Sequence, residues 1–487
     1  MGTEAVLSEP HHLHLQAPAA KRVLVKDHVQ ELIATGALRR GSRAPSILDL
    51  SRELDVAKNT VVAALDELCG EGVLEARERQ GFFVRSAKKR GRVRETRLAD
   101  LEADRVAHGM ATILVQGGDD FVSIGGGTAA ESLLATPAWT AALRNAPPRD
   151  PRTSLRYADP MGEPRLREAI AARYGGVEEA PERVIITHGA IEALNICFAA
   201  TAALSGSRRI GIETPGYFML GPMIAALGLE AVPIPRSREG IDLDHLRREI
   251  RRAPLAAMMV NPNHQNPIGS SLSLSQRFDL AKLADERRMF LIEDDVYKGL
   301  WIEEEEPPTI CSLDPQRTIY VGSFSKTLGP ALRLGYILAP PPLVADLRQR
   351  KFLQTLSGDP YTQNLVADFV DRRGYQRHLV EMRDELARRA RIARHQSEAF
   401  AGLGRFTQLF TGGLFWRFDF APKLDATALY RAARERNMLI SPGCFFRTDG
   451  EPDDGVRDAW MRVNVSLCEG TTLTRVLGIL RAAARLG

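Results

Sequence analysis

The chemically richest stretch of this chain is a lysine in a short loop between two apolar runs. Thr318-Ile319-Tyr320-Val321 reads as a buried strand, and Leu334 to Leu338 as a second. Between them lies Gly322-Ser323-Phe324-Ser325-Lys326-Thr327-Leu328-Gly329-Pro330-Ala331-Leu332-Arg333. Gly322 is expected to break the first strand, so that a loop of small residues presents Lys326. Apolar walls around an ammonium lower its pKa and free an amine that can attack a carbonyl. The neighbouring hydroxyls, with Arg333 seven residues on, can hold an anion beside that amine. From these residues alone, a solvated lysine in a polar loop is the alternative.

Four further motifs close other strand-like runs. His188-Gly189-Ala190-Ile191 stands between a strand and a helix, where backbone N–H groups make a phosphate site. Glu213-Thr214-Pro215-Gly216-Tyr217 puts an aromatic at a strand end, suited to stacking on a flat ring. Asn261-Pro262-Asn263-His264-Gln265-Asn266-Pro267-Ile268-Gly269 is a polar turn in which Asn266 is a candidate donor. Glu293-Asp294-Asp295-Val296-Tyr297 supplies a carboxylate and a phenol. Each has a plain structural alternative: Asp294-Asp295 as a helix cap, Tyr217 as a core aromatic, Asn266 as a turn residue. Their joint order asks for a planar, phosphorylated, aldehyde-bearing heterocycle. Lysine takes the aldehyde, an aspartate pairs with a ring nitrogen, and a phenol and an amide bind a ring oxygen. Loop amides, a serine and an arginine hold the phosphate. That is pyridoxal 5'-phosphate chemistry. Ser323-x-x-Lys326 also matches the serine β-lactamase motif, but the Ser-Asp-Asn and Lys-Thr-Gly partners of that motif are absent.

The elements that must position these groups alternate. Strand-like runs at 183–187, 210–213, 231–234, 256–260, 290–293, 318–321 and 334–338 are separated by helical patterns such as 190–204 and 276–288. Alternation of this kind implies a mostly parallel sheet covered on both faces, with ligands gathering at strand ends. Later helices with short strands at 414–418 and 461–465 suggest a smaller subdomain. The cofactor-binding α/β body is expected to span 119–487.

The first part of the chain reads differently. Residues 1–20 look like a polar tail, whose His11, His12 and His14 are more simply a disordered segment than a metal site. From 21 to 86 the order is helix, helix, short turn, helix, hairpin. Val25, Val29, Leu32 and Ile33 share a helical face, and Gly36 is expected to stop that helix. Ser46 and Asp49 form a helix-start signal. The third helix, from Lys58, buries Val61, Ala64, Leu65 and Leu68, and two strands flank Glu78-Arg79-Gln80-Gly81. This is the winged helix-turn-helix layout. Lys58, Asn59 and Thr60, with Ser46, would face the major groove, and Arg77, Arg79, Gln80 and Gly81 would meet the backbone or minor groove. A helical interaction domain is the alternative. Between Arg77 and Arg97 nine Lys or Arg stand against two Glu. The linker at 87–118 is therefore basic, either tracking phosphates or simply solvated.

At 487 residues, two or three domains are expected, and a formal net charge of only +4 confines any nucleic-acid surface to a local patch. The five cysteines have no C-x-x-C spacing, which predicts reduced thiols in a cytoplasmic protein. No signal-peptide pattern, membrane span, His-Glu-x-x-His or zinc-finger spacing is present, so neither membrane nor metal is expected.

Residues 119–487 resemble the aminotransferases of pyridoxal-phosphate fold type I over nearly their whole length. The resemblance implies that Lys326 carries the cofactor, Asp294 partners its pyridine nitrogen, and Tyr297 and Asn266 its ring hydroxyl. Tyr217 would stack on the ring, and Ser323, Arg333, Gly189, Ala190 and Ile191 would hold the phosphate. Tyr157 is similar to the tyrosine that reaches the phosphate of a neighbouring subunit, and Arg462 to the arginine that binds a substrate carboxylate. Ala190 and Ile191 replace the usual hydroxyl or glutamine, so weaker cofactor binding is expected. Residues 21–86 resemble the GntR DNA-binding domain through Gly36-x-Leu38-x-x-Gly41-x-x-x-Pro45-Ser46 and Val56-x-x-Asn59-Thr60-Val61. Leu48 stands in place of a DNA-contacting arginine and Ala57 in place of a capping serine. The fusion is identified as a member of the MocR subgroup. It implies a head-to-tail homodimeric, nucleoid-associated regulator that binds operator DNA and senses an amino acid, an amine or the cofactor itself. A working aminotransferase with an accessory winged domain is the alternative.

Overall fold

The computed structural model describes residues 18–35, 37–38, 41–77, 80–84, 122–145, 155–173, 181–302, 305–371, 373–407, 409–421, 424–448 and 459–484. His11, His12, His14, Gly36, Arg79 and the basic linker lie outside them. The chain divides into two compact units, Met1–Thr96 and Arg97–Gly487.

In the first unit, α1 spans Pro18–Ala34, α2 Ile47–Glu53 and α3 Lys58–Gly70. The first helix thus begins inside the stretch expected to be a tail. At the start of α2 the Ser46 hydroxyl accepts from the Asp49 N–H at 3.2 Å, while the Asp49 carboxylate accepts from the Ser46 N–H at 3.3 Å. A cap of this kind contributes about 0.5–2 kcal/mol. Helix α3 starts at Ala57 with no side-chain cap. Val25, Val29, Leu50, Val61, Leu65 and Leu68 form a fully buried core. The wing is β1 (Leu74–Arg77) paired antiparallel with β2 (Gly81–Val84). It has a third edge that the sequence pattern does not reveal: Ala44 N–H donates to Phe82 O and Val84 N–H to Ser42 O, both at 2.9 Å.

In the second unit, β3 (Val122–Ser123) precedes the strands of the main sheet: β4 (Val184–Thr187), β5 (Arg209–Thr214), β6 (Glu230–Ser237), β7 (Gly240–Ile241), β8 (Ala257–Val260), β9 (Phe290–Asp294), β10 (Thr318–Ser323) and β11 (Gly335–Leu338). Their order is β4-β11-β10-β9-β8-β5-β6-β7. The ladders joining β10, β9, β8, β5 and β6 are parallel, while β11 runs antiparallel between β10 and β4. Parallel strands need crossovers, which the helices Ala190–Ser205 and Leu274–Arg287 help supply. Strand interiors such as Val184–Thr187 and Ala257–Val260 are buried throughout, as a sheet covered on both faces requires. The predicted motifs follow the carboxyl ends of β4, β5, β8, β9 and β10, and so converge on one rim.

Gly322 does not break its strand. It lies within β10, opposite Tyr336 of β11, and an added Cβ would overlap the Tyr336 ring. Close packing, rather than a turn, explains this glycine. A second sheet is built from β12 (Gly404–Phe406), β13 (Phe415–Phe420), β15 (Ser441–Pro442) and β16 (Trp460–Asn464), while β14 (Met438–Leu439) pairs with β3. This sheet carries Arg462.

Candidate cofactor and effector pocket

A cavity of about 720 Å³ opens at that rim. Its walls include Lys326, Asp294, Tyr297, Asn266, Tyr217, Ser323, Arg333, Ala190, Ile191 and Arg462. Two of the expected residues do not line it: Gly189, which directly precedes Ala190, and Tyr157, which is 82% exposed.

Lys326 is enclosed, and its Nζ donates to the Gly127 carbonyl at 2.7 Å. Burial is the main cause that brings its pKa down to about 8, and Arg462 adds to it while Asp294 opposes. An appreciable fraction of the amine is therefore neutral near physiological pH. Asp294 ends β9, and burial, reinforced by Asp295, pushes its carboxyl up to about 7. Its Oδ1 is buried and has no hydrogen-bond partner. Such an oxygen suits a cationic N–H donor. The neighbouring Asp295 is fixed by Asn263 Nδ2 at 2.8 Å and the Tyr320 hydroxyl at 3.1 Å.

Arg462 is fully buried between two aromatic faces. Its guanidinium carbon lies 4.3 Å from the Phe415 ring centroid and 4.8 Å from that of Phe446. Nη1 donates to Asn266 Oδ1 at 2.7 Å and Nη2 to Gly125 O at 2.6 Å, while Nε has no partner. Burial brings its pKa down to about 10, so it remains a cation at neutral pH. Because Asn266 Oδ1 accepts from Arg462, the Nδ2 group of Asn266 is the end left to donate elsewhere. Burial raises the pKa of Tyr297 and of Tyr217, which keeps both phenols protonated as O–H donors.

The anion end gathers around Gly189. This residue has φ 83° and precedes the helix Ala190–Ser205 without capping it by a side chain. An added Cβ at Gly189 would lie 2.8 Å from Arg333 Nη2. Arg333 itself donates to His188 O at 3.0 Å. Ser323 Oγ donates to Leu334 O at 3.3 Å and accepts from Ser325 N–H at 3.1 Å. Helix N–H groups, a serine pair and a guanidinium thus border one end of the cavity. Ala190 and Ile191 add no side-chain donor to it.

Sequence reasoning missed several participants. The segment Gly125–Thr128 supplies carbonyls to Lys326, Arg462 and Asn464, and its glycines carried no motif signal. Ser325 also lines the cavity with its Oγ buried and unpartnered. Its place beside Lys326 was the signal that could have found it. Glu213 lines the floor, accepts from Asn261 N–H at 2.9 Å and faces Arg236 at 3.4 Å.

In the winged unit, Lys58 and Asn59 are exposed at the start of α3 and Thr60 is half-buried. Ser46 is exposed but engaged in its capping box. Arg77 is exposed on the wing, donating to Glu75 at 2.9 and 2.6 Å and stacking on Phe83 at 4.2 Å. Gln80 and Gly81 form the described part of the tip, and Gly81 has φ 97°. Exposed Arg43, which the sequence did not single out, approaches it: a Cβ on Gly81 would lie 3.5 Å from the Arg43 guanidinium.

Comparison with known proteins covers both units. The family profile "Aminotransferase class I and II" matches residues 128–480, and "Bacterial regulatory proteins, gntR family" matches 22–84. The chain is 27% identical to the probable rhizopine catabolism regulatory protein MocR of Rhizobium meliloti, over 89% of this chain and 92% of that one. It is 29% identical to the pyridoxine biosynthesis transcriptional regulator PdxR of Corynebacterium glutamicum, over 74% and 75%. Among solved structures it resembles LysN, an α-aminoadipate aminotransferase of Thermus thermophilus complexed with N-(5'-phosphopyridoxyl)-L-leucine. The TM-score is 0.67, at 25% identity over 78% of this chain and 98% of that one. An archaeal alanine:glyoxylate aminotransferase shares the fold with a TM-score of 0.69 at 22% identity, over 80% and 97%. The chain belongs to the class I and II aminotransferase family and joins that domain to a GntR-family module, the two-part organisation of MocR-type regulators.

Proposed function

We propose that this protein is a cytoplasmic transcriptional regulator that binds operator DNA through α3 and the wing. Its signal would be an amino compound, or the cofactor itself, received at pyridoxal 5'-phosphate held on Lys326. The observation that carries the reading is the presence, in one chain, of a GntR-family unit and a cavity pairing a buried amine with a buried, unpartnered carboxylate. The cavity fits the cofactor: it is large enough, it has an orphaned Asp294 oxygen for a ring N–H, and its other end presents helix N–H groups and Arg333.

When bound, pyridoxal 5'-phosphate supplies an aldehyde that condenses with amines and a ring that accepts electron density. The rest falls to this chain. Lys326 offers a nucleophile that is partly neutral near pH 7. Asp294 would hold a proton at the ring nitrogen, and Tyr297 and Asn266 would donate to the ring oxygen. Tyr217 would cover a face of the ring. Arg333, Ser323 and the backbone at Gly189, Ala190 and Ile191 would hold the phosphate. Arg462 is the pocket's cation for a carboxylate, which favours amino acids over plain amines. Tyr157, exposed in one chain, would serve a partner's site in a head-to-tail homodimer, whose symmetry suits a repeated operator. Domain limits of 21–86 and 119–487 accompany this reading.

Lys326, Asp294, Tyr297 and Arg462 line one cavity, which favours a second reading as a working aminotransferase. A gel shift with the protein's own upstream region and a steady-state assay with amino acids plus 2-oxoglutarate separate the two. The regulator reading expects DNA binding without sustained turnover. No DNA binding together with fast multiple turnover overturns it.

A further inference from the structure

We infer that α3 reads A·T base pairs, with Asn59 addressing an adenine and with Val62 and Ala63 contacting thymine methyl groups. The inference rests on the proposal that duplex DNA is the partner, and concerns which bases are read. One side of α3 is fixed by burial of Val61, Ala64, Leu65 and Leu68. A second flank is committed to α1: Glu67 pairs with Arg22 at 3.3 Å and Lys26 at 3.4 Å, and Lys26 also binds Glu71. What remains is a stripe of Lys58, Asn59, Val62, Ala63 and Asp66, at the spacing of one helical face.

That stripe has an unusual composition for a groove-reading surface. Arginine, the common reader of guanine through O6 and N7, is missing from it. Asn59 is exposed, and among the described residues its side-chain amide has no hydrogen-bond partner. An asparagine amide matches adenine N6 and N7 as a bidentate pair. Val62 and Ala63 are half-buried and apolar, so they can neither donate nor accept. In the major groove the apolar feature that base edges offer is the thymine methyl. Lys58, the stripe's one cation and its one side chain able to reach guanine, stands at the helix start, where the inference assigns it to a phosphate. Asp66, two turns on, disfavours close approach of the later helix to phosphate. Leu48, 47% exposed in the first turn of α2, adds no guanine reader nearby.

The test uses the full-length protein to select sites from a randomised duplex pool. A·T pairs are expected at the core positions. In the selected site, uracil in place of each core thymine removes one methyl and should weaken binding about fourfold per contacted methyl. Asn59→Ala should weaken it roughly five- to 150-fold and relax the choice at one position. Val62→Ser, checked for folding by its melting curve, should abolish the uracil effect at its own thymine. A core of G·C pairs, or indifference to uracil in the folded protein, overturns the inference while leaving DNA binding intact. Failure to retain any duplex at low salt overturns the DNA-binding proposal and this inference together.

Discussion

The two units use charge in opposite ways. In the cavity, charged groups are buried and their proton affinities are displaced: Lys326 down to about 8, Arg462 down to about 10, Asp294 up to about 7. In the winged unit the ion pairs are surface ones, such as Arg22 with Glu67 and Arg77 with Glu75, and each contributes at most about 1 kcal/mol. The cavity's charges are shielded from water, whereas DNA contacts by the proposed groove face of α3 would draw on displaced water and counterions. The first should therefore respond to pH, and the second to salt.

Substitutions can break that contrast, starting with the largest effect. Lys326→Ala should shift the near-visible absorbance of the cofactor-loaded protein from that of a lysine-bound imine to that of a free aldehyde, and slow its spectral response to amines. An unchanged spectrum would place the cofactor elsewhere. Arg462→Gln should weaken amino acids by about 2–5 kcal/mol, while amines lacking a carboxylate change little; titration of both classes checks it. Gly189→Ala places a side chain at φ 83° and against Arg333, and should cost about 1–3 kcal/mol of stability, read by a melting curve, and lower cofactor retention, read by dialysis and absorbance.

Asp294 gives a smaller effect with a definite sign. Its folded pKa of about 7 lies above the ordinary 3.8, so the folded cofactor-free protein binds more protons than the unfolded chain between those values. Stability of the cofactor-free protein should fall as pH rises through that window. Asp294→Asn should then melt higher than the parent at pH 8 and close to it at pH 4. The smallest change belongs to the winged unit: Lys58→Ala should lower the salt dependence of DNA binding by about one phosphate contact without altering its pH dependence.

How much of this was legible in the sequence depends on the range of the contacts. The helix start at Ser46 and Asp49 and the strand-end motifs at Asp294 and Lys326 are local patterns, and all could be read directly. Arg462 was found by resemblance, but its settings were not: Phe415, Phe446, Gly125 and Asn266 come from distant parts of the chain. Gly322 was misread because a glycine that admits a tyrosine ring looks the same, in sequence, as one that ends a strand. The Ser42–Ala44 edge of the wing is likewise a non-local pairing with no periodic signal. The contacts of Arg77 with Glu75 and Phe83 across the wing are also not signalled by its position in the sequence.

The central claim is that the amine chemistry at Lys326 governs DNA binding. It is tested most directly by measuring the affinity of the cofactor-loaded protein for its own upstream DNA across a panel of amines and amino acids, with absorbance followed in the same samples. The account predicts that a compound which changes the spectrum also changes DNA affinity, by about 5–150-fold, and that Lys326→Ala alters both responses together. A compound that fully changes the spectrum while DNA affinity stays constant would contradict it.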